Sequence, residues 1–84
     1  MEEMQVGKVT HYFTKIGVAV IEVTHGSIKV NDEIHLKGHT TDFKQKISSM
    51  QIEHESVQLA EPGQSIGLKV AEPARANDLV FKEV

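Results

Sequence analysis

The sequence predicts an all-β fold, and three observations carry that prediction. Apolar residues alternate with polar ones over short runs, as in Ser65-Ile66-Gly67-Leu68-Lys69-Val70, the period of a strand with one buried face. Turn-forming residues separate these runs at close intervals. No stretch holds a long helical period. The clearest punctuation is Gly26-Ser27-Ile28-Lys29-Val30-Asn31-Asp32-Glu33-Ile34, echoed by Ala76-Asn77-Asp78-Leu79-Val80. In both places an Asn-Asp pair precedes an aliphatic strand. Asn tolerates the left-handed backbone that tight turns need, and Asp can accept from backbone amides two residues on.

The elements follow in order. Val6 to Tyr12 reads as a first strand, and Thr14 to Gly17 as a connection. Val18-Ala19-Val20-Ile21-Glu22-Val23 is the strongest strand; five apolar residues in six imply burial on much of both faces or a strand crossing a barrel. A turn at Gly26 leads to Ile28 and Val30, with one buried face. After the Asn31-Asp32 turn, Ile34 and Leu36 point inward. Residues 38–42 are polar and loop-like. Phe43 to Ile47 starts another strand, but the apolar phase slips between Ile47 and Met50, so a bulge is expected near Ser48-Ser49. Residues 54–61 could hold a helical turn, ended by Pro62-Gly63. Ile66, Leu68 and Val70 face inward, and Leu79 to Lys82 closes the chain. Phe43 and Phe81 are expected in the core. Six or seven short strands result, in a sandwich or small barrel.

Length and charge narrow the function. Eighty-four residues form one domain, 1–84, which buries only about 60–65% of its unfolded surface. There is no cysteine, so neither a disulfide framework nor a thiolate zinc site is available. No apolar run nears the roughly 18 residues of a membrane span. The acidic start, Met1-Glu2-Glu3-Met4, is the wrong chemistry for a secretory signal. A cytoplasmic protein off the membrane is the expectation. Residues 1–46 balance six lysines against six acids, while residues 47–84 carry a net −3. A chain that grips nucleic acid unaided shows a clearly basic domain; this one does not.

Several residues resemble a known family. The pattern Gly7-Lys8-Val9, then residues 18–23, then the 26–34 hairpin, is similar to the β-barrel second domain of translational GTPases such as elongation factor Tu. So are Ile47-Ser48-Ser49-Met50-Gln51, Ala60-Glu61-Pro62-Gly63-Gln64-Ser65-Ile66-Gly67-Leu68 and Ala76-Asn77-Asp78-Leu79-Val80-Phe81. The resemblance runs from about residue 6 to 82. It implies a small closed Greek-key barrel of six to seven strands, the translation-protein type. Asn31 and Asn77 stand where that family usually has glycine. No glycine-rich loop ends in Gly-Lys-Ser/Thr, so no nucleotide site is expected. Similar barrels occur as accessory modules, including the carboxy-terminal domain of collagenase-like peptidases.

The residues best placed to touch a partner are Tyr12 and Lys15, then Lys37, His39, Lys44 and Lys46. Aromatics beside cations can stack bases and hold phosphates. Tyr12 and Phe13 can equally cover a barrel end with one ring inward, and Lys44 and Lys46 can form a solvated face. Gly26, Asn31, Asp32, Gly63, Asn77 and Asp78 are read as turn residues. His35 and His39, with Asp42 or His54, lack the convergence of a zinc site, so no metal or cofactor is expected. Glu53 and Glu55 alternate on one face with His54 on the other; a solvated turn fits them better than acid–base chemistry. Nothing forms a nucleophile elbow, so no enzyme activity is expected. The resulting expectation is a non-catalytic module that contacts RNA, weakly alone, or a ribonucleoprotein. The alternative is a protein-docking accessory domain for a separately encoded enzyme or GTPase. A contiguous basic patch would favour the first, dispersed charge the second.

Overall fold

The computed structural model describes residues 2–83, and these residues contain ten strands and no helix. They are β1 (Glu3–Phe13), β2 (Val18–Val23), β3 (Ile28–Lys29), β4 (Glu33–Lys37), β5 (Asp42–Lys46), β6 (Met50–Ile52), β7 (Glu55–Val57), β8 (Leu59–Ala60), β9 (Ser65–Lys69) and β10 (Leu79–Glu83). Eight form one sheet in the order β5-β4-β10-β1-β2-β9-β6-β7, and β3 pairs with β8. The sheet pairs are antiparallel throughout.

The all-β expectation holds, with more strands than six or seven. The sheet order runs from β5 at one edge to β7 at the other, with no ladder joining those edges among the described residues. The sheet nonetheless curls. Gln45 on β5 reaches the end of β9 with its side-chain amide, donating to the Lys69 carbonyl at 3.0 Å and accepting from the Ala71 N–H at 2.7 Å. Ile47 exchanges backbone hydrogen bonds with the Asn31-Asp32 turn.

The core lies on the concave face. Val9, Ile21, Ile34, Leu36, Ile66, Leu68 and Val80 are buried there, with Ile28 and Ala60 from the small sheet. β2 alternates: Ala19, Ile21 and Val23 are buried, while Val18, Val20 and Glu22 are half-exposed on the outer face. Its near-continuous apolar run therefore reflects one core face and one apolar outer face.

Three turns share one construction. Asp32, Gln64 and Asp78 each donate their backbone N–H to the carbonyl three residues back, on Lys29, Glu61 and Arg75. In each, the side-chain oxygen of the fourth residue accepts the N–H of the first, at 3.0, 2.8 and 2.8 Å. The third residue takes a positive φ, 81° for Asn31, 92° for Gly63 and 77° for Asn77, as type II turns require. The Asp carboxylates thus bond amides three residues back, not two residues on. Gly26 also serves a turn, at φ 63°.

Asp78 does more. Its carboxylate is buried and lies so close to Gly38 that a Cβ there would overlap Oδ1 at 1.9 Å. Gly38 is a glycine because the second Asn-Asp turn packs against the β4–β5 connection. Gly7 answers a similar demand, since its Cβ would stand 2.5 Å from the Glu22 carbonyl oxygen.

Four sequence expectations need correction. Residues 47–49 hold no bulge; the chain leaves the sheet there and crosses from β5, at one edge, to β6, the neighbour of the opposite edge strand β7. That crossing, anchored at Ile47, absorbs the phase slip. The bulges fall in β1 instead, between Gln5 and Gly7 and between Val9 and His11, so that one long strand can bend while pairing on both sides. Residues 54–61 form β7 and β8, not a helical turn. Glu53 and His54 make the two-residue β6–β7 loop, with φ of 51° and 67°, so strand alternation does not apply to them. Phe43 is in the core, but Phe81 is half-exposed on the outer face.

Two outcomes follow. Gly38→Ala forces Asp78 from its turn and should destabilise the fold by about 2–4 kcal/mol in urea unfolding. Replacing the β6–β7 loop by Glu53→Asn with His54→Gly relieves two positive-φ side chains and should stabilise by about 1–2 kcal/mol.

Candidate functional site

The outer surface divides into two chemically different faces. Over β5, β4, β10 and β1 the register sets charge against charge. Glu33 lies opposite Lys46, Lys37 opposite Asp42, and His35 opposite Lys44 on one side and Phe81 on the other. Lys37, Lys44 and Lys46 are exposed as expected, but Glu3, Glu33, Asp42 and Glu83 are interleaved with them.

His35 is the centre of this face. Its Nδ1 meets both Glu3 carboxylate oxygens at 3.0 Å, and its Nε2 meets Asp42 Oδ1 at 2.5 Å. A neutral imidazole has only one N–H and would point a lone pair at one carboxylate; the imidazolium donates from both nitrogens. The hydrogen bond to Asp42 raises the His35 pKa above its ordinary value, burial opposes this, and Glu3 adds to it. The same bond holds the Asp42 carboxyl below the ordinary carboxylate range. Lys44 stands 4.0 Å from Glu3. His35 thus ties β1, β4 and β5 together across β10. His35 and Asp42 do meet, as the sequence allowed, but through an ion pair whose third member is Glu3. His39 is exposed in the turn after β4. Glu3 and Asp42 meet opposite nitrogens of His35, and no group of three such side chains among the described residues is arranged to hold a metal ion.

The six residues singled out from the sequence do not gather. Tyr12 turns inward, opposite Ala19, and packs against the core. It also lines a cleft of about 430 Å³ with Thr40, Thr41, Asp42, Glu72 and Arg75, a lining that includes neither Lys15, Lys37, Lys44, Lys46 nor His39. Lys15 is exposed in the β1–β2 turn. Sequence reasoning missed the His35 clasp because Glu3 is 32 residues away, and only strand pairing brings it near.

Over β1, β2, β9 and β6 the outer face carries an apolar group, Phe13, Ile16, Val18 and Val20, flanked by Glu22, Gln51 and Lys69. Phe13 and Ile16 are 45% and 61% exposed, and the Phe13 ring leans on His11 with centroids 4.4 Å apart. Phe13 pairs with Val18, His11 with Val20, and Val20 with Gly67. A groove of about 320 Å³ runs between Phe13 and Ile16 on one side and Gln51, Glu53 and His54 on the other.

With this geometry, known proteins can be compared. The family described as elongation factor Tu domain 2 matches residues 17–76. The chain belongs to that family. It is also 34% identical over 80 residues to an uncharacterized protease of Methanocaldococcus jannaschii, covering 94% of this chain and 19% of the protease. It is 34% identical over 82 residues to a collagenase of Porphyromonas gingivalis, covering 96% of this chain and 20% of the collagenase. The chain therefore spans about a fifth of the length of the curated relatives it matches. Crystal structures of the C-terminal domain of a Geobacillus thermoleovorans protein assigned to the U32 peptidases superpose with TM-scores of 0.88 and 0.87, at 23% and 24% identity. The first covers 94% of this chain and 99% of that domain, the second 95% and 92%. At those identities the likeness shows the shared fold.

The His35 clasp has a signed pH dependence. A raised histidine pKa adds stability that is full below the unfolded value of about 6.5 and fades as pH rises through the folded value above it. The lowered Asp42 pKa adds stability that is lost only as pH falls through its folded value, below about 3.9. His35→Gln should therefore weaken the fold most between those limits. Urea unfolding at about pH 5.5 and pH 8.5 should show the gap between variant and parent closing at the higher pH.

Proposed function

We propose that this chain is a non-catalytic accessory module that docks onto protein, of the kind that accompanies U32-type peptidases. The observation that carries the reading is the pattern of coverage. Nearly all of this chain matches about a fifth of each protease, and nearly all of a peptidase's terminal domain superposes on it. A unit that recurs in this way is an attached module, and residues 1–84 act as one. The curled sheet serves as a barrel-type platform, drawn together at Gln45. Its partner is the catalytic part of such a peptidase, whether on the same polypeptide or another.

The surface supports protein over RNA. Phosphate backbones are held by clustered Lys and Arg, whereas Lys37, Lys44 and Lys46 alternate with carboxylates. The exposed apolar group of Phe13 and Ile16 suits a protein interface instead. The P-loop of the GTPases has no counterpart in the sequence, so the family likeness reaches the barrel and not the nucleotide chemistry.

The test is retention of a co-expressed U32-type catalytic segment by the tagged chain. Binding should persist through ribonuclease and about 0.5 M salt, and Phe13→Asp with Ile16→Asp should weaken it about tenfold or more. Retention that ribonuclease abolishes would return the RNA-contact reading.

A further inference from the structure

We propose that Glu3, Met4 and Gln5 form a proton-controlled arm, which lies closed on β10 while His35 carries a charge and swings off the sheet when His35 is neutral. Separate observations place the arm, its hinge and its latch.

The arm is the least supported part of β1. The ladder with β2 begins at Gly7, so Glu3, Met4 and Gln5 pair with β10 alone. Glu3 lies directly opposite Glu83, and like charges facing each other across a ladder oppose the pairing. Met4 is largely exposed, with its methyl beside Gly26.

The hinge is the bulge between Gln5 and Gly7. The Val6 carbonyl accepts from the amides of Thr24 and His25, at 2.8 and 3.2 Å, and Val6 is buried in the core. From Val6 onward β1 is held by elements other than β10, so opening stops there.

The latch is His35, which reaches Glu3 from β4 across the intervening β10. The charges around it come from four strands. Glu33 and Lys37 stand two residues to either side on β4. On β5, Lys44 lies opposite, with Asp42 and Lys46 two residues away. On β10, Phe81 lies opposite, with Glu83 two residues on. Glu3 arrives from β1. Lys44 stands 4.0 Å from Glu3, beyond hydrogen-bond reach, so the imidazolium is the donor that fastens the arm.

A neutral imidazole keeps one N–H. That proton stays toward Asp42, which is nearer, at 2.5 Å against 3.0 Å for Glu3, and sits on the adjoining strand. Nδ1 then presents a lone pair to Glu3, while Glu83 repels Glu3 across the ladder. Both effects drive the arm away and leave the β10 edge without its β1 partner at residues 81–83. The bonds to Asp42 and Glu3 hold the His35 pKa above 6.5 against the opposing effect of burial. The arm is therefore closed below the folded value and opens as pH rises through it.

The test is NMR of the carbon-labelled chain between about pH 5.5 and pH 9. It follows the His35 ring carbons and the Cα–H order parameters of residues 3–6, which amide exchange leaves untouched. Residues 3–5 should fall from about 0.85 to below about 0.6, with the same midpoint as the His35 ring, while Val6 stays rigid. His35→Gln should abolish that midpoint. Glu3→Gln should keep the arm closed even at about pH 9, because a side-chain amide can donate to the Nδ1 lone pair and carries no charge against Glu83. An ion pair of purely structural role predicts the reverse for Glu3→Gln, an arm loosened at every pH, and that result overturns the proposal. Residues 3–5 that stay ordered throughout overturn it too. So does a loss of order that keeps its midpoint in His35→Gln, or one that spreads past Val6 along β1, because the clasp would then serve the whole fold.

Discussion

The structure depends on a four-residue turn in which the last side chain reaches back to the first amide. It occurs at Lys29–Asp32, Glu61–Gln64 and Arg75–Asp78. Each turn delivers the chain into a strand of the main sheet: β4, β9 and β10. A two-way bond within four residues fixes the direction of departure before any long-range contact exists, which suits a small chain with many non-local pairings. Two of the turns also hold distant parts. Asp32 accepts from Lys82 Nζ at 3.1 Å, and the same ammonium donates to the Ser27 carbonyl at 2.8 Å, so the last strand is tied to the β3–β4 turn. Asp78 presses on Gly38 and binds the β4–β5 connection to the start of β10. Its backbone carbonyl accepts from Val9, and Asn77 donates to the Val9 carbonyl.

With the sheet so constrained, its outer surface separates by strand rather than by sequence region. The long strand β1 belongs to both halves. Its first residues, around Glu3, contribute to the charged face, and its last, His11 and Phe13, to the apolar one. The two bulges make this division possible, because each shifts the alternation by one residue and re-aims the side chains that follow. A straight β1 could not keep Val6, Val9 and Tyr12 turned inward together. The charged face is self-satisfied through His35, Glu3, Asp42 and Lys44. The group of Phe13 and Ile16 stays exposed among the described residues, and on the proposed docking reading it is the part a protein partner covers.

Much of the fold was legible in the residues. β4 and β9 carry alternation that survives folding unchanged, and the turn residues Gly26, Asn31, Asp32, Gly63, Asn77 and Asp78 sit where the chain turns. Local chemistry decides these features: a positive φ admits few side chains, and an Asp or Gln oxygen four residues along finds the amide. The site was less legible. From sequence Asp42 stood near His35 only as a member of a rejected metal grouping, and neither its ion pair with His35 nor that of Glu3 was read. Phe81 read as core because it is aromatic, whereas its place opposite His35 follows from the register between β10 and β4.

The sequence by itself determined an all-β chain, its turns, the inward residues of its regular strands and its kinship with the barrel domain of translation factors. Those properties reside in steric limits on single residues and in side-chain alternation over a few positions. Tertiary structure alone decided the crossing at residues 47–49, the bulges of β1, the clasp at His35 and the room left beside Gly67. Each of these exists only where strands from separate parts of the chain lie side by side. A glycine that the fold requires and one that it merely tolerates read alike in sequence, and only the neighbours of the missing Cβ tell Gly38 from Gly67.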